Sequence, residues 1–238
     1  MKVLSWNIRQ GGANGRFKPI ADALLKYNAD VVILTEFWED EKGDYIKKHL
    51  AEAGYTYQAT HQAPFKVNSV FLASKAACED VTDMNKYAVP FERWTEFYFP
   101  ENDFTLLGIH IPNHNSKLHD KEVFWKELNA YAKNNLHKRG LIIGDINTVL
   151  AEDSQESPLS CTKYLQELVE SGWQDAWRCK HLDGTEYSFF NGRGQGFRLD
   201  DAFITPALKD ALVNCELSHA EREEGLSDHS VLIVELEL

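Results

Sequence analysis

The chain has 238 residues, of which 43% are hydrophobic, and this is enough for one domain with a sizeable core. Its formal net charge of −12 argues against broad, non-specific contact with a nucleic-acid backbone, although a local basic rim around an acidic centre remains compatible with it. No apolar run approaches the roughly 18 to 20 residues that cross a bilayer, so no membrane segment is expected.

Seven apolar runs of strand length are spread along the chain, and no repeat, low-complexity tract or linker separates them. These runs predict strands over residues 2–8, 30–36, 68–74, 104–111, 140–145, 198–205 and 230–238. Helical spacing of apolar residues predicts helices over 19–27, 120–136 and 162–171. The mixture predicts one α/β domain over residues 1–238, with a topology that periodicity alone does not determine.

Polar side chains repeatedly stand where these apolar strands end. The run LIIGDIN places Asp145 and Asn147 directly after buried-strand residues. A carboxylate and an amide are costly to bury without partners, so this ending needs an explanation. A turn is the simplest one, because Asp and Asn side chains bond nearby backbone where strands stop. Similar endings recur at Asn7, Glu36, His110, Asn113, Asp200, Asp228 and His229.

This recurrence favours a shared functional site, because catalytic groups gather at strand ends and in the loops that follow them. Oxygen ligands from Asn7, Glu36 and Asp228 suit Mg²⁺ or Mn²⁺, whereas zinc would call for a thiolate cluster or an HExxH motif. Phosphodiester hydrolysis needs such a cation, together with an activated water and a stabilised leaving group.

Two further sets of residues fit that chemistry. Asp145, held near Asn147, is suited to take the proton of the attacking water. His229 beside a carboxylate would supply a charged donor to a phosphoryl oxygen, with Asp200 orienting the ring. The alternative for Asp200 is an ion pair with Arg198.

The ordered set SWN, TE, HIPN, GDIN, RLDDAFI and SDH resembles the endonuclease/exonuclease/phosphatase superfamily, which has the DNase I-like fold. Within it the likeness is greatest to apurinic/apyrimidinic endonucleases of the exonuclease III type, and it runs from residue 2 to about residue 238. The resemblance implies a four-layer α/β sandwich, with two mixed β-sheets packed face to face and helices outside. It also implies a site at one edge of the two sheets.

The resemblance also implies roles for single residues. Asn7 and Glu36 match metal ligands, and Asp228 matches the acidic residue of SDH. Asp145 and Asn147 match the pair that positions and activates the attacking water.

Three further positions match family motifs, and a fourth departs from one. Asp200 and His229 match the family's Asp–His pair, and Asn113 matches the asparagine of its YxPN motif. His110 stands where the nucleases usually have that motif's tyrosine.

The aromatic segment YSFF (residues 187–190) and the GFRLD run after it (residues 196–200) resemble the segments that line the nuclease pocket for an abasic sugar or a terminal nucleotide. Phe189, Phe190 and Phe197 would form that wall here, although ordinary core packing explains three phenylalanines equally well. Arg193, on the loop between them, is expected to meet a phosphate.

Several departures from the nuclease pattern leave the substrate open. Arg9 stands where the nucleases commonly have an acidic residue, which weakens a second metal position, and TE replaces their usual QE. His110 replaces tyrosine, as it does in several phosphatase and phosphodiesterase branches.

Three functional hypotheses follow. The leading one is a Mg²⁺- or Mn²⁺-dependent phosphodiesterase that acts on DNA, as an abasic-site endonuclease or a 3′-exonuclease. The second keeps the chemistry but takes a small phosphoester, which the acidic balance and His110 favour. The third is a family member that binds nucleic acid or another partner without catalysis. A monomer is expected, and four cysteines without CxxC spacing predict reduced thiols in the cytoplasm.

Overall fold

The computed structural model describes residues 1–61, 63–83, 85–113, 118–156 and 159–238. Within those ranges the strands are β1 Lys2–Asn7, β2 Val31–Phe37, β3 Tyr57–Thr60, β4 Ser69–Ser74, β5 Glu79–Asp80, β6 Trp94–Phe99, β7 Phe104–His110, β8 Arg139–Asp145, β9 Gln174–Asp175, β10 Phe189–Phe190, β11 Gly196–Phe197, β12 Asp200–Ile204, β13 Leu212–Ser218 and β14 Val231–Leu236. The regular α-helices there are Phe17–Lys26, Glu41–Glu52, Leu118–Asn135, Thr162–Glu170, Ala176–Lys180 and Ala220–Glu223. No described helix is both long and apolar enough to cross a membrane.

The predicted strands and helices are all present, with ends that differ from the prediction by at most two residues. The helix Glu41–Glu52 has no predicted counterpart, because its apolar residues are few and a glycine lies in its first turn. Its start is fixed by Asp40, whose side chain accepts hydrogen bonds from the backbone of Lys42 and Gly43. A Cβ at Gly43 would lie 2.1 Å from the carbonyl oxygen of Trp38, so this close approach requires glycine.

Two six-stranded mixed sheets form the centre of the protein. Their strand orders are β13-β14-β1-β2-β4-β3 and β5-β6-β7-β8-β12-β9. Within the first sheet β1 runs parallel to β2, and within the second β7 runs parallel to β8. The strands β10 and β11 form a separate small hairpin. The parallel pairs matter for function because neighbouring parallel strands end at the same edge of a sheet.

The two sheets pack face to face, with helices on both outer surfaces. The layer between the sheets is a hydrophobic cluster to which both contribute, and Gly108 lets β7 approach side chains of the first sheet closely. A second cluster joins the outer face of the first sheet to the helices Phe17–Lys26 and Glu41–Glu52. A third joins the second sheet to the helices Leu118–Asn135 and Thr162–Glu170. The predicted four-layer α/β sandwich is therefore confirmed.

Side-chain alternation along the strands brings four polar residues to one edge of the layer between the sheets. Residues two or four positions apart share a face of a strand, and each polar residue stands that far from a residue of the inner cluster. The pairs are Asn7 with Val3, His110 with Leu106, Asp145 with Ile143, and Asp200 with Ala202. The register places Asp145 beside His110 on one side and beside Asp200 on the other.

Candidate active site

Asp145 lies at the centre of this edge and is buried. Its Oδ2 accepts a hydrogen bond from Asn7 Nδ2 at 2.9 Å, and its Oδ1 accepts one from the backbone of Asn147 at 3.0 Å. The second bond is the turn contact expected of an aspartate at a strand end, so the simple explanation is correct but incomplete. Burial raises the pKa of Asp145 to about 7; the charge of His229 opposes this shift. A carboxyl group with such a pKa is suited to exchange a proton near neutral pH.

His229 and Asp200 form a buried pair beside Asp145. His229 Nδ1 lies 2.7 Å from Asp200 Oδ2. Burial alone would lower the pKa of His229, but the charge and hydrogen bond of Asp200, with smaller contributions from other carboxylates, raise it to about 10. The ring is therefore an imidazolium at neutral pH, and its second N–H is free to act as a charged donor.

Asp200 is itself held by backbone bonds that sequence reasoning did not anticipate. The hydroxyl oxygen of the buried Ser188 accepts hydrogen bonds from the backbone N–H groups of Leu199 and Asp200. The carbonyl of Ser188 accepts another from Ser230, the residue after His229. Ser188 therefore links the start of β12, which carries Asp200, to the segment before β14, which carries His229.

Arg198, offered as the alternative partner of Asp200, binds other carboxylates. Its buried guanidinium forms ion pairs with Asp153, Asp175 and Asp201. The alternative is wrong because the start of β12 turns Asp200 towards His229, which leaves Asp201 for Arg198.

Glu36 and Asp228 line the cavity at this edge together with Asp145 and His229. Glu36 has a backbone φ of 53° at a bulge in β2, and its Oε2 accepts a hydrogen bond from the backbone of Gln10 at 2.7 Å. A non-glycine residue in this left-handed region costs of the order of 1–3 kcal/mol and is typical of functional sites. Asp228 is paired with Arg9, whose Nε lies 3.3 Å from its Oδ2.

The donor chemistry of this region fits a hard divalent cation. Glu36 and Asp228 offer carboxylate oxygens, and the amide oxygen of Asn7 accepts one backbone hydrogen bond, which leaves it a second lone pair. Oxygen donors of this kind are those that Mg²⁺ and Mn²⁺ prefer. The guanidinium of Arg9 already neutralises part of the charge of Asp228, which disfavours a second cation there.

Asp145, Asp200 and His229 also bring ligand atoms within 4.8 Å of one another, as metal ligands do. An imidazolium has no lone pair on either nitrogen, and Asp200 Oδ2 already accepts a hydrogen bond from His229. These three groups are therefore poorer candidate ligands for a cation than the oxygen donors at the Glu36 end of the site.

A cavity of about 700 Å³ joins these polar groups to an apolar wall. Phe189 and Phe197 lie on that wall with Leu199, and the Phe189 ring lies 5.0 Å from the ring of His229, centroid to centroid. Asn113 and Asn147 also line the cavity. Two of the three phenylalanines that were predicted to form an aromatic wall beside the acidic groups therefore line the cavity.

Phe190 and Arg193 differ from their predicted surroundings. The Phe190 ring contacts Tyr187 and the guanidinium of Arg222 instead of the cavity. Adjacent residues of a strand face opposite sides, so Phe189 and Phe190 cannot both line one wall. Arg193 does lie at the cavity, but it is ion-paired with Glu156, an acidic lining residue that the sequence did not single out.

Lys121 is a lining residue that sequence analysis missed. It is buried in the helix Leu118–Asn135, and its Nζ donates hydrogen bonds to the backbone carbonyl of Asn147 and to Ser160 Oγ. Burial lowers the pKa of its ammonium to about 8. Asn147 has a left-handed φ of 47°, so the lysine holds a strained backbone segment in place.

Replacing Lys121 with methionine is expected to lower kcat by at least about tenfold while the chain remains folded, because misplacing a reacting group by about 1 Å can cost a hundredfold. Lys126→Met is the matched control, since Lys126 is exposed on the same helix. Steady-state kinetics and thermal melts of both variants check this. Equal kcat values for the two variants would show that Lys121 does not contribute to catalysis.

Comparisons with known proteins agree with this fold. A model of the Endonuclease/Exonuclease/phosphatase family matches residues 4–229. A search of curated proteins found no match.

Among solved structures, the chain is similar to a 3′ phosphatase, NExo, from Neisseria bound to a product DNA hairpin, with 20% identity and a TM-score of 0.84. It is also similar to an AP endonuclease from Archaeoglobus fulgidus, with 18% identity and a TM-score of 0.83. A 3′–5′ exonuclease (NExo) from Neisseria meningitidis gives 20% identity and a TM-score of 0.85. Each similarity covers 100% of both chains, and at these identities it shows a shared fold.

Proposed function

The chain belongs to the endonuclease/exonuclease/phosphatase family of phosphoester hydrolases, and we propose that it is a Mg²⁺- or Mn²⁺-dependent phosphodiesterase that cleaves DNA at abasic sites or 3′ ends. The observation that carries this proposal is the contact between the apolar wall and the Asp–His pair. Because Phe189 packs on His229, a sugar or base against that wall would hold its phosphate at the reacting groups.

In the proposed reaction each of the polar site residues has a separate role. Asp145 accepts a proton from water as the water oxygen bonds to phosphorus and the bond from phosphorus to the 3′-oxygen breaks. The imidazolium of His229 donates to a phosphoryl oxygen, and Asp200 holds its ring. The leaving 3′-oxygen takes a proton from solvent. Glu36, Asn7 and Asp228 would hold the cation, which supplies a positive charge to the phosphoryl oxygens.

The pocket favours a nucleotide that has left the base stack. Extruding a nucleotide from a duplex costs a few kcal/mol, and least where it is damaged, unpaired or at an end. An abasic sugar or a terminal nucleotide therefore reaches Phe189 and Phe197 most easily. Asn113, and Arg193 once it releases Glu156, are suited to contact the adjacent phosphate.

A small phosphoester remains the second candidate substrate, and the pairing of Glu156 with Arg193 is the observation that favours it. Glu156 neutralises the arginine at the cavity and places a carboxylate where a DNA backbone would pass. A polar small molecule would tolerate this arrangement better than a polyanion does.

A substrate panel with purified protein and MgCl₂ tests the two candidates. It contains an abasic duplex, a recessed 3′ end, single-stranded DNA, RNA and a small phosphodiester. We expect the abasic duplex or the recessed end to be cleaved fastest. Brisk turnover of the small ester without cleavage of any DNA would assign the protein to the second candidate.

Phe197→Ala is expected to lower kcat/KM on the abasic duplex by about ten- to a hundredfold, because aromatic contact with a base or sugar is worth about 1 to 3 kcal/mol. On the small phosphodiester the same variant should change kcat/KM little. The control is Phe190→Ala. Phe190 lies outside the cavity, and its partly exposed ring contacts Tyr187 and the guanidinium of Arg222. Equal losses on both substrates would instead indicate a packing role for Phe197.

Removing the cation or its main ligand should also abolish or reduce turnover. EDTA is expected to abolish hydrolysis, and Mg²⁺ or Mn²⁺ to restore it. Glu36→Gln should lower kcat by about ten- to a hundredfold and raise the Mg²⁺ concentration needed for half-maximal rate, because an amide is a weaker ligand. Near-normal rates at low Mg²⁺ would remove Glu36 from the metal site.

We further propose that the protein is a monomer with one domain over residues 1–238, and that it works in the cytoplasm. The family match over residues 4–229 and the hydrophobic layer shared by both sheets support one domain. The four cysteines are free thiols, which suits a reducing compartment.

A further inference from the structure

We propose that Arg93 fixes the tautomer of His110, so that this histidine is a neutral N–H donor at the site and not a proton carrier. Arg93 ends the single turn Phe91–Arg93 before β6, and its Nη1 lies 3.0 Å from His110 Nδ1. A guanidinium has only donors and keeps its proton in proteins. His110 Nδ1 must therefore accept this bond, and the one ring proton lies on Nε2.

The surroundings of His110 oppose a second proton on its ring. The ring is buried, with the guanidinium of Arg93 on one side and the imidazolium of His229 nearby. Burial, the charge of Arg93 and the charge of His229 lower the pKa of His110 well below its usual value, in that order of size. Among the described residues, Asp145 is the carboxylate paired with the ring, with its Oδ2 at 3.7 Å from Nε2.

This geometry aims the Nε2–H group at the reacting end of the site. Nε2 faces Asp145 across a gap longer than a hydrogen bond, and the two residues are register partners on β7 and β8. A phosphoryl oxygen beside Asp145 would find an uncharged donor there.

The role of the donor rests on the proposed function, whereas the tautomer does not. The first experiment therefore reads the ring nitrogens directly, in the full chain labelled with ¹⁵N-histidine. Long-range ¹H–¹⁵N spectra distinguish protonated from unprotonated ring nitrogens, and a His110→Gln spectrum assigns the signals of His110. We expect an unprotonated Nδ1 and a protonated Nε2, unchanged between about pH 8 and pH 6.

Arg93→Met should change that spectrum. Without the guanidinium, His110 is expected to show a mixture of the two neutral tautomers, because the donor that holds Nδ1 as an acceptor is gone. Arg139→Met is the matched control, because Arg139 stands at the far end of β8. A wild-type ring protonated on Nδ1, or an Arg93→Met spectrum identical to the wild type, would overturn the proposal. If Arg93→Met does not fold, Arg93→Lys and the wild-type spectrum decide.

Kinetics on the abasic duplex test what the donor does. Arg93→Met should lower kcat by at least about tenfold with a smaller change in KM, because the ring donor is no longer held in one orientation. His110→Gln, which keeps a neutral N–H donor, should retain more activity than His110→Ala. Equal rates for the two His110 variants would reject the donor role. Absence of DNA cleavage by the wild type would reject the proposed substrate and leave the spectral result standing.

Discussion

Asp145→Asn is expected to lower kcat by about 10²- to 10⁴-fold, the range for the loss of a general base, and to leave the protein folded. The carboxylate lies between the amide of Asn7 and the backbone of Asn147. Asparagine keeps one carbonyl oxygen, so the turn bond from the backbone of Asn147 is retained. What the substitution removes is the capacity to take a proton, together with the acceptor for Asn7 Nδ2.

Single-turnover rates beside thermal melts separate catalysis from turn formation. A residue that only forms a turn would cost about 1 kcal/mol of stability and leave kcat nearly unchanged. We expect the opposite pattern for Asp145→Asn. An unaltered kcat with a lowered melting temperature would show that Asp145 has a structural role and no catalytic one.

Substitutions of the adjacent residues Asp200 and Asp201 are expected to have opposite effects, one on kcat and the other on stability. Asp200→Asn should lower kcat by about a hundred- to a thousandfold, because His229 loses the negative charge that keeps it an imidazolium. Asp201→Asn should leave the kcat of the folded protein nearly unchanged. It should instead cost about 3 kcal/mol, because it breaks the buried ion pair with Arg198.

Melting temperatures and kcat values of both variants measure this contrast. For a chain of this size, about 3 kcal/mol corresponds to a fall in Tm of the order of 10 °C. Losses of the same kind in both variants, whether of rate or of stability, would contradict the separate roles of Asp200 and Asp201.

Seven of the fourteen strands in the described residues, and most of the polar endings, were predictable, because a buried strand imposes a clear apolar pattern on the sequence. The strands β6 and β13 were not predicted. The alternation of side chains also explains why the polar endings meet, since Asn7, His110, Asp145 and Asp200 share a face with inner-core residues. The pairing of β7, β8 and β12 was not predictable, because the apolar pattern within a strand does not specify which strands are its neighbours in the sheet.

The residues that hold the site in place were missed for a different reason. Arg93, Lys121 and Ser188 stand in a short turn, on a helix and in a connecting segment, where a polar residue is unremarkable. Each becomes significant only through a partner distant in the chain, such as His110 for Arg93. Sequence patterns identify groups at strand ends, whereas their supporting contacts are determined by the tertiary fold.

The aromatic wall lies between these two cases. The segment YSFF pointed to a pocket, yet only Phe189 of its two phenylalanines reaches it. Strand alternation requires one of them to face away, but the sequence alone does not say which one.

Cleavage of an abasic duplex in ¹⁸O-water with MgCl₂ tests the central claim most directly, that Asp145 activates a water which attacks the phosphorus of DNA. One ¹⁸O atom is expected in the 5′-phosphate of the product, none in the released 3′-hydroxyl, and no product is expected in EDTA. Mass spectrometry of the two fragments measures this. Absence of cleavage, an unlabelled phosphate, or the same product in EDTA would contradict the account.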